Sequence, residues 1–268
     1  MYPEQIDFDQ EKINALTAKS AECFFRSNFK FLTAHNGIRK KKLHLLLSPT
    51  SGGKSTVVRS ILCDMVFRNK DKKILLWLSE ESKEDFLVEF AATVPPNDVL
   101  KNIRIVSEMD TTHTDEEIIS TIEQAIDLYD IDFLMIDNIT TSKFYGEKTP
   151  NEQMAMSKWY KGLLNKTTVF LIAHTNSNDY NNRLLNETDI RGSKNITNLV
   201  EFLYILQPIH VGDRLFQFIN IKKHRGQELK GRFFRLFYEP KIKSFDRDAK
   251  VNFEGFKEIF AMRNQLGK

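Results

Sequence analysis

Short apolar runs punctuate this chain at 43–47, 74–78, 103–106, 133–136 and 169–173, and the stretches between most of them carry apolar residues at helical spacing. Runs of four or five residues so dominated by apolar side chains, broken only at positions 44 and 104, suit strands buried on both faces. Their alternation with helical stretches predicts an α/β fold with a mostly parallel central sheet and helices on both faces. Beyond Val200 the helical stretches stop, and runs at 201–206, 216–221 and 233–237 follow closely, which predicts antiparallel C-terminal strands. Helix starts are marked by Thr114 with Glu117, by Ser82 with Asp85, and by Pro150 ahead of 151–164. Segment 1–36 stands apart as a helical or linker piece from the domain expected over 37–268. Within it Ile13, Leu16, Cys23 and Phe24 give 9–25 a loose apolar face, so a helix is expected there, packed on this domain or on a neighbouring subunit.

Between the run at 43–47 and the helical stretch at 55–68 lies Ser48-Pro49-Thr50-Ser51-Gly52-Gly53-Lys54-Ser55. A strand that feeds a glycine-containing turn into a helix N-terminus aims backbone N–H groups and the positive end of the helix dipole at one point, where a polyphosphate can sit. In that reading Ser51, Gly52, Gly53, Lys54, Ser55 and Thr56 bind the nucleotide. Lys54 holds the β- and γ-phosphate oxygens and Ser55 ligates Mg2+. Position 48 is Ser where the general pattern has Gly, so the loop is identified by its context of strand, turn, Lys-Ser and helix. The run at 133–136 ends in Asp137, placed as a carboxylate that holds the Mg2+ hydration shell. Glu80 and Glu81 follow the run at 74–78, where hydrolysis of a γ-phosphate needs a carboxylate to orient and deprotonate water. One of the two is the expected base, and Glu81 reads better as part of a helix start.

Composition narrows the classes. At 268 residues, 41% apolar and 28% charged, the chain suits one sizeable catalytic domain. A formal net charge of only +3 provides no global field toward nucleic acid, so any such site must be a local basic surface. The two cysteines, Cys23 and Cys63, fit no metal or redox spacing, which suits a reducing compartment. No apolar run approaches the ~18 residues of a membrane span, and the acidic N-terminus lacks a signal peptide's apolar stretch, so a cytosolic protein is expected. The abundance of Phe, Lys, Asn and Ile suggests an AT-rich genome of the phage or plasmid kind.

Leu78-Ser79-Glu80-Glu81-Ser82-Lys83-Glu84 resembles the segment carrying the catalytic glutamate of DnaB-type replicative helicases, with that glutamate in register at Glu80. The loop at 48–55 resembles that family's phosphate loop. Leu171-Ile172-Ala173-His174-Thr175-Asn176 is similar to the strand end where phage and mitochondrial members place a γ-phosphate-sensing histidine, here His174. Thr188-Asp189-Ile190-Arg191-Gly192-Ser193-Lys194 resembles the DNA-facing loop of these enzymes, and Ile221-Lys222-Lys223-His224-Arg225 resembles their Lys-x-Arg finger pair. The resemblance covers roughly 37–245 in collinear order.

It implies a RecA-like P-loop NTPase with ATP and Mg2+ as cofactors, working as a homo-oligomeric ring, hexameric in that family, on single-stranded DNA, with replication proteins as further partners. Lys223 and Arg225, alternate residues that share a strand face, would act across a subunit boundary on a neighbour's γ-phosphate. The polar stretch 176–187 and the following loop offer Arg183, Arg191 and Lys194 as contacts for the strand's phosphates, assisted by the backbone N–H groups of Gly192 and Ser193. Arg39-Lys40-Lys41-Lys42 reads instead as a solvated lead-in to the first strand. The chain starts about forty residues before the loop, so a motor without the family's usual N-terminal domain is expected. Two other readings stay open: a non-unwinding DNA-dependent ATPase such as a recombinase or loader, and a KaiC-like regulatory ATPase with a protein partner.

Overall fold

The computed structural model describes residues 23–33, 38–93, 98–110, 114–143, 145–176, 182–192, 194–224 and 229–266, with positions 11, 14 and 180. Its centre is a nine-stranded sheet. In chain order the strands are β3 (Leu43–Ser48), β4 (Ile74–Leu78), β5 (Ile103–Ser107), β6 (Phe133–Asp137), β7 (Thr168–His174), β8 (Phe202–Val211), β9 (Arg214–Lys223), β10 (Phe233–Glu239) and β11 (Ser244–Val251). They lie side by side as β11-β10-β9-β8-β3-β7-β6-β4-β5. From β8 to β5 neighbours are parallel, and β8 through β11 pair antiparallel. A mixed α/β fold with a largely parallel sheet and antiparallel C-terminal strands is therefore what the chain adopts.

Side-chain alternation splits the core into two layers. On one face Leu46, Leu76, Met135 and Ile172 pack with Val58, Ile61 and Met65 of α2 (Lys54–Arg68) and with Phe86 and Phe90 of α3 (Lys83–Ala91). On the other, Leu45, Trp77, Leu134 and Leu171 pack with Ile118, Ile122 and Ile126 of α4 (Asp115–Tyr129) and with Tyr160 and Leu163 of α5 (Pro150–Leu163). Each fully buried aliphatic side chain contributes about 1.5–3 kcal/mol, so register is fixed strongly on both faces. The helix starts behave as their sequence predicts: Thr114 and Thr149 close capping boxes with Glu117 and Glu152, and Ser82 accepts from Asp85 N at 3.0 Å. Among the described residues no helix is long and apolar enough to cross a membrane.

The N-terminal segment differs from its expectation. Positions 11 and 14 are helical and the rest of 9–22 lies outside the described residues, but Cys23–Phe25 forms a strand, β1, paired antiparallel with β2 (Ile38–Arg39). Phe25, Phe29, Phe31 and Leu32 are buried in the same core layer as α2. The short helix α1 (Lys30–Thr33) is held by Asp248 of β11, whose carboxylate accepts from Phe31 N at 2.9 Å and from Lys30 N. Two later elements carry weaker sequence signals. β11 has a mostly polar sequence and pairs with β10 at an edge, and α7 (Phe253–Leu266) packs Phe256 on Phe218 and Phe233. In the basic lead-in, Lys40 and Lys41 are exposed while Arg39 and Lys42 are half-buried.

His44 lies within the sheet interior, its ring stacked 4.4 Å from Phe202 and 5.8 Å from Phe170, with Nδ1 3.3 Å from the Tyr204 hydroxyl. Burial, helped by the charges of His224, Lys42 and Arg39, lowers its pKa from 6.5 to about 3. A depressed pKa contributes stability that is present above the unfolded value and lost as pH falls toward the folded one. Stability should therefore decline below about pH 6.5, and His44→Phe should flatten that decline by up to about 1.4 kcal/mol per pH unit. Denaturant midpoints between about pH 7 and 5 check this.

Candidate nucleotide site

Strand parity gathers the candidate residues. Leu46, Leu78, Met135 and Ile172 all face the α2 layer, and each is two positions before a strand-end polar residue: Ser48, Glu80, Asp137 and His174. Side chains two apart share a face, so parallel strands deliver these four to one face at one edge of the sheet, the edge where their C-terminal ends meet.

The loop after β3 closes there. Gly52 N donates to Pro49 O at 3.1 Å, and Gly53 adopts φ 84° as the residue before α2. That left-handed backbone favours glycine, and a Cβ at this position would collide with Gln217 Nε2. Gln217, buried on β9, donates to Gly52 O at 2.6 Å and so ties the antiparallel strands to the loop. Ser51 is exposed, Gly52 is buried, and Ser55 and Thr56 are half-buried on the first turn of α2.

The Lys54 ammonium is nearly buried and lies between two carboxylates. It donates to Asp137 Oδ1 and, at 3.0 Å, to Glu80 Oε2. Burial opposes its charge, but Asp137 and then Glu80 outweigh that and raise its pKa. Glu80 Oε1 is 2.9 Å from His174 Nε2. Burial works against the Glu80 carboxylate as well, yet the bond from His174 and the charge of Lys54 hold its pKa well below the usual carboxylate range. Glu81 points elsewhere: it pairs with Arg59 at 3.1 Å, and burial raises its pKa in spite of that guanidinium. Geometry thus separates the two adjacent glutamates, but not for the expected reason: α3 starts at Lys83 behind a Ser82 cap, and Glu81 answers Arg59 rather than the helix dipole.

A polar frame that sequence reasoning missed fixes the strand ends. Ser79 N donates to Asp137 O at 2.9 Å, and Ser79 Oγ donates to Asn138 O at 2.7 Å. Asn138 Oδ1 accepts from the backbone of Thr140 and Thr141 at 2.9 and 3.0 Å, and Thr140 Oγ1 accepts from His174 N at 3.1 Å. β4, β6 and β7 are thereby locked in register at the site. Adjacency to Glu80 and Asp137 was the available signal for Ser79 and Asn138. Gln217 has none, being 165 residues from its partner.

The remaining candidates lie apart from Lys54. Arg183 makes a bidentate pair with Asp189, at 2.8 and 2.6 Å, and is committed within its own loop. Arg191 and Lys194 are exposed, Gly192 has φ 98°, and Arg191 N donates to His174 O at 2.8 Å, which joins this loop to the β7 end. Lys223 donates to Thr197 O on α6 (Asn195–Leu199). Because β9 runs antiparallel to β8, Gln217 lies level with the loop while Lys223 pairs with Leu203, level with Leu45 in the first half of β3. Arg225 and Ser193 lie outside the described residues. A scan against protein-family models finds no matching family, and a search of curated proteins finds no matching relative.

Gly53→Ala should lower stability by at least about 1 kcal/mol through the left-handed backbone and the collision with Gln217. Gln217→Ala in the same chain should recover part of that loss. Chemical denaturation of the single and double variants measures both.

Proposed function

We propose that this chain is a RecA-like P-loop ATPase that hydrolyses Mg-ATP and, as a homo-oligomer of the DnaB type, translocates on single-stranded DNA. The observation that carries the reading is the Lys54 ammonium buried between Asp137 and Glu80, at the start of a helix fed by a glycine turn and with His174 on Glu80. A lysine is seldom buried without compensating charge, and here the charge comes from the strand ends where nucleotide-handling carboxylates are expected.

The donor set fits Mg2+. Among the described residues no group of three or more His, Cys, Asp or Glu could cage a metal, but Mg2+ is commonly held by one or two protein oxygens together with substrate phosphates. Ser55 Oγ, next to Lys54, and the Asp137 carboxylate would be those oxygens. The ion would neutralise charge on the phosphates.

The chain's own residues divide the remaining work. Lys54 exchanges its carboxylate partners for phosphate oxygens, and the N–H groups of Gly53 and of the first turn of α2 assist. Losing the Lys54 charge raises the pKa of Glu80, because that charge helps to hold it down. Nucleotide binding therefore makes Glu80 a better base for the proton of the attacking water. His174 keeps the carboxylate oriented. The Lys223 end of β9 lies away from the chain's own loop, so Lys223 and Arg225 serve a neighbouring copy's site in this reading.

Lys54→Ala should abolish turnover and weaken nucleotide binding. Glu80→Gln should bind ATP yet hydrolyse it at least about 100-fold more slowly, the scale of a lost general base. Arg225→Ala should also be inactive, and mixing it with Glu80→Gln should restore activity at mixed interfaces. Steady-state phosphate release reads all four preparations; turnover retained by Lys54→Ala contradicts the site, and no rescue on mixing contradicts action between subunits.

A further inference from the structure

Face and pairing at the antiparallel end set four side chains in a row. Phe216 pairs across from Ile209, Arg235 from Phe218, and Phe237 from Arg247. The Arg235 guanidinium lies 4.7 Å from the Phe216 ring centroid and 5.0 Å from that of Phe237, and Arg247 lies 5.4 Å from Phe237. The result is a short ladder of phenyl and guanidinium groups, with Arg235 beside both rings and Arg247 beside the second. Its members are exposed or half-buried. Arg214, exposed at the start of β9, extends it.

None of the three arginines makes an ion pair among the described residues, whereas Arg183, Arg59 and Arg68 all do. The nearby Glu239 is engaged in capping the next turn, accepting from Lys241 N at 3.1 Å. The contacts with the rings hold Arg235 and Arg247 in place without consuming their N–H groups, which remain available to oxygen anions.

The ladder is separate from the nucleotide site. Neighbouring residues of a strand face opposite ways, so Gln217, which reaches the phosphate loop, and Phe216 lie on opposite faces of β9. Phe216 and Leu184 both pack against the cluster of Phe218, Phe233 and Phe256, and Gln207 on this face accepts from Leu185 N at 2.9 Å. The ladder therefore continues the surface that begins at the 182–192 loop, and it offers the unpaired guanidinium groups that Arg183 does not.

We propose that the Phe216–Arg235–Phe237–Arg247 ladder is a binding site for single-stranded nucleic acid, with bases packing on the parts of the half-buried rings that stay open and phosphates meeting the guanidinium N–H groups. Aromatic interleaving favours this ligand over an acidic peptide, which would use the charges and leave the rings unused. The site shares its ligand with the proposed motor but does not rest on hydrolysis.

The test is fluorescence anisotropy of a labelled oligo-dT of about 20 nucleotides with the full chain, without ATP, over a salt series. Arg235→Gln/Arg247→Gln should weaken binding roughly tenfold or more and make the log affinity against log salt slope shallower by about 1.4. Arg235→Lys, which keeps charge but loses the planar stack, should weaken binding with the slope unchanged. Arg247→Gln alone, on an exposed side chain, keeps the test readable should the double variant fold poorly, and should weaken binding about threefold. Unchanged affinity and slope in these variants overturns the site, as does displacement of the oligonucleotide by polyglutamate at equal charge. Ladder-dependent binding in a protein that does not turn over ATP keeps the site and sinks the motor; loss of turnover in Lys54→Ala beside ladder-independent binding does the reverse.

Discussion

A lysine ammonium can stay charged where water scarcely reaches it only if carboxylates meet it there, and the site is organised around that requirement. Lys54 opens α2, so its position follows from where β3 ends and how the loop turns. Asp137 and Glu80 come from two other strands, β6 and the end of β4, and both must be in register to within one residue. A slip of one position in either strand would turn its carboxylate to the opposite face and leave the ammonium uncompensated. The two core layers supply the force that prevents such slips, and the Ser79–Asn138–Thr140 hydrogen bonds fix the last residues of each strand. Packing across the whole sheet thus decides the electrostatics at one edge.

The same residues couple that edge to more distant parts. His174 touches Glu80 through its ring, while its carbonyl accepts from Arg191 N in the loop beyond β7. Gln217 touches the glycine loop after β3, and six residues later the same strand ends at Lys223. A change of partner at Lys54 would therefore bear on both the 182–192 loop and the far end of β9 through short, continuous paths of bonded groups. In the proposed reading these are the routes by which hydrolysis reaches the nucleic acid and a neighbouring subunit.

Much of this was legible in the chain because its signals are local. The first five apolar runs gave their strands to within a residue, while β8 continues five residues past its run at 201–206; the capping pairs gave the helix starts, and the polar residues after the early runs identified the strand ends. What escaped was non-local or polar. β11 has an almost charged sequence and is a strand because β10 offers it an edge; β1 exists only through its pairing with β2. Gln217 looks like an ordinary strand residue until the fold brings Gly52 beside it. Arg183 reads as a free cation in sequence, and its pairing with Asp189 depends on how the loop turns. The Arg235 and Arg247 ladder, built from three strands, has no linear pattern at all.

In the proposed reading the Lys54 cluster is a working nucleotide site in an assembling, DNA-responsive motor. The most direct measurement is Mg-ATP turnover by the purified chain, with and without single-stranded DNA, over protein concentrations that span assembly. Turnover per chain should rise with concentration and rise further with DNA. Turnover indifferent to both would contradict the motor and favour an ATPase directed at a protein partner; no turnover under any of these conditions would contradict the site itself.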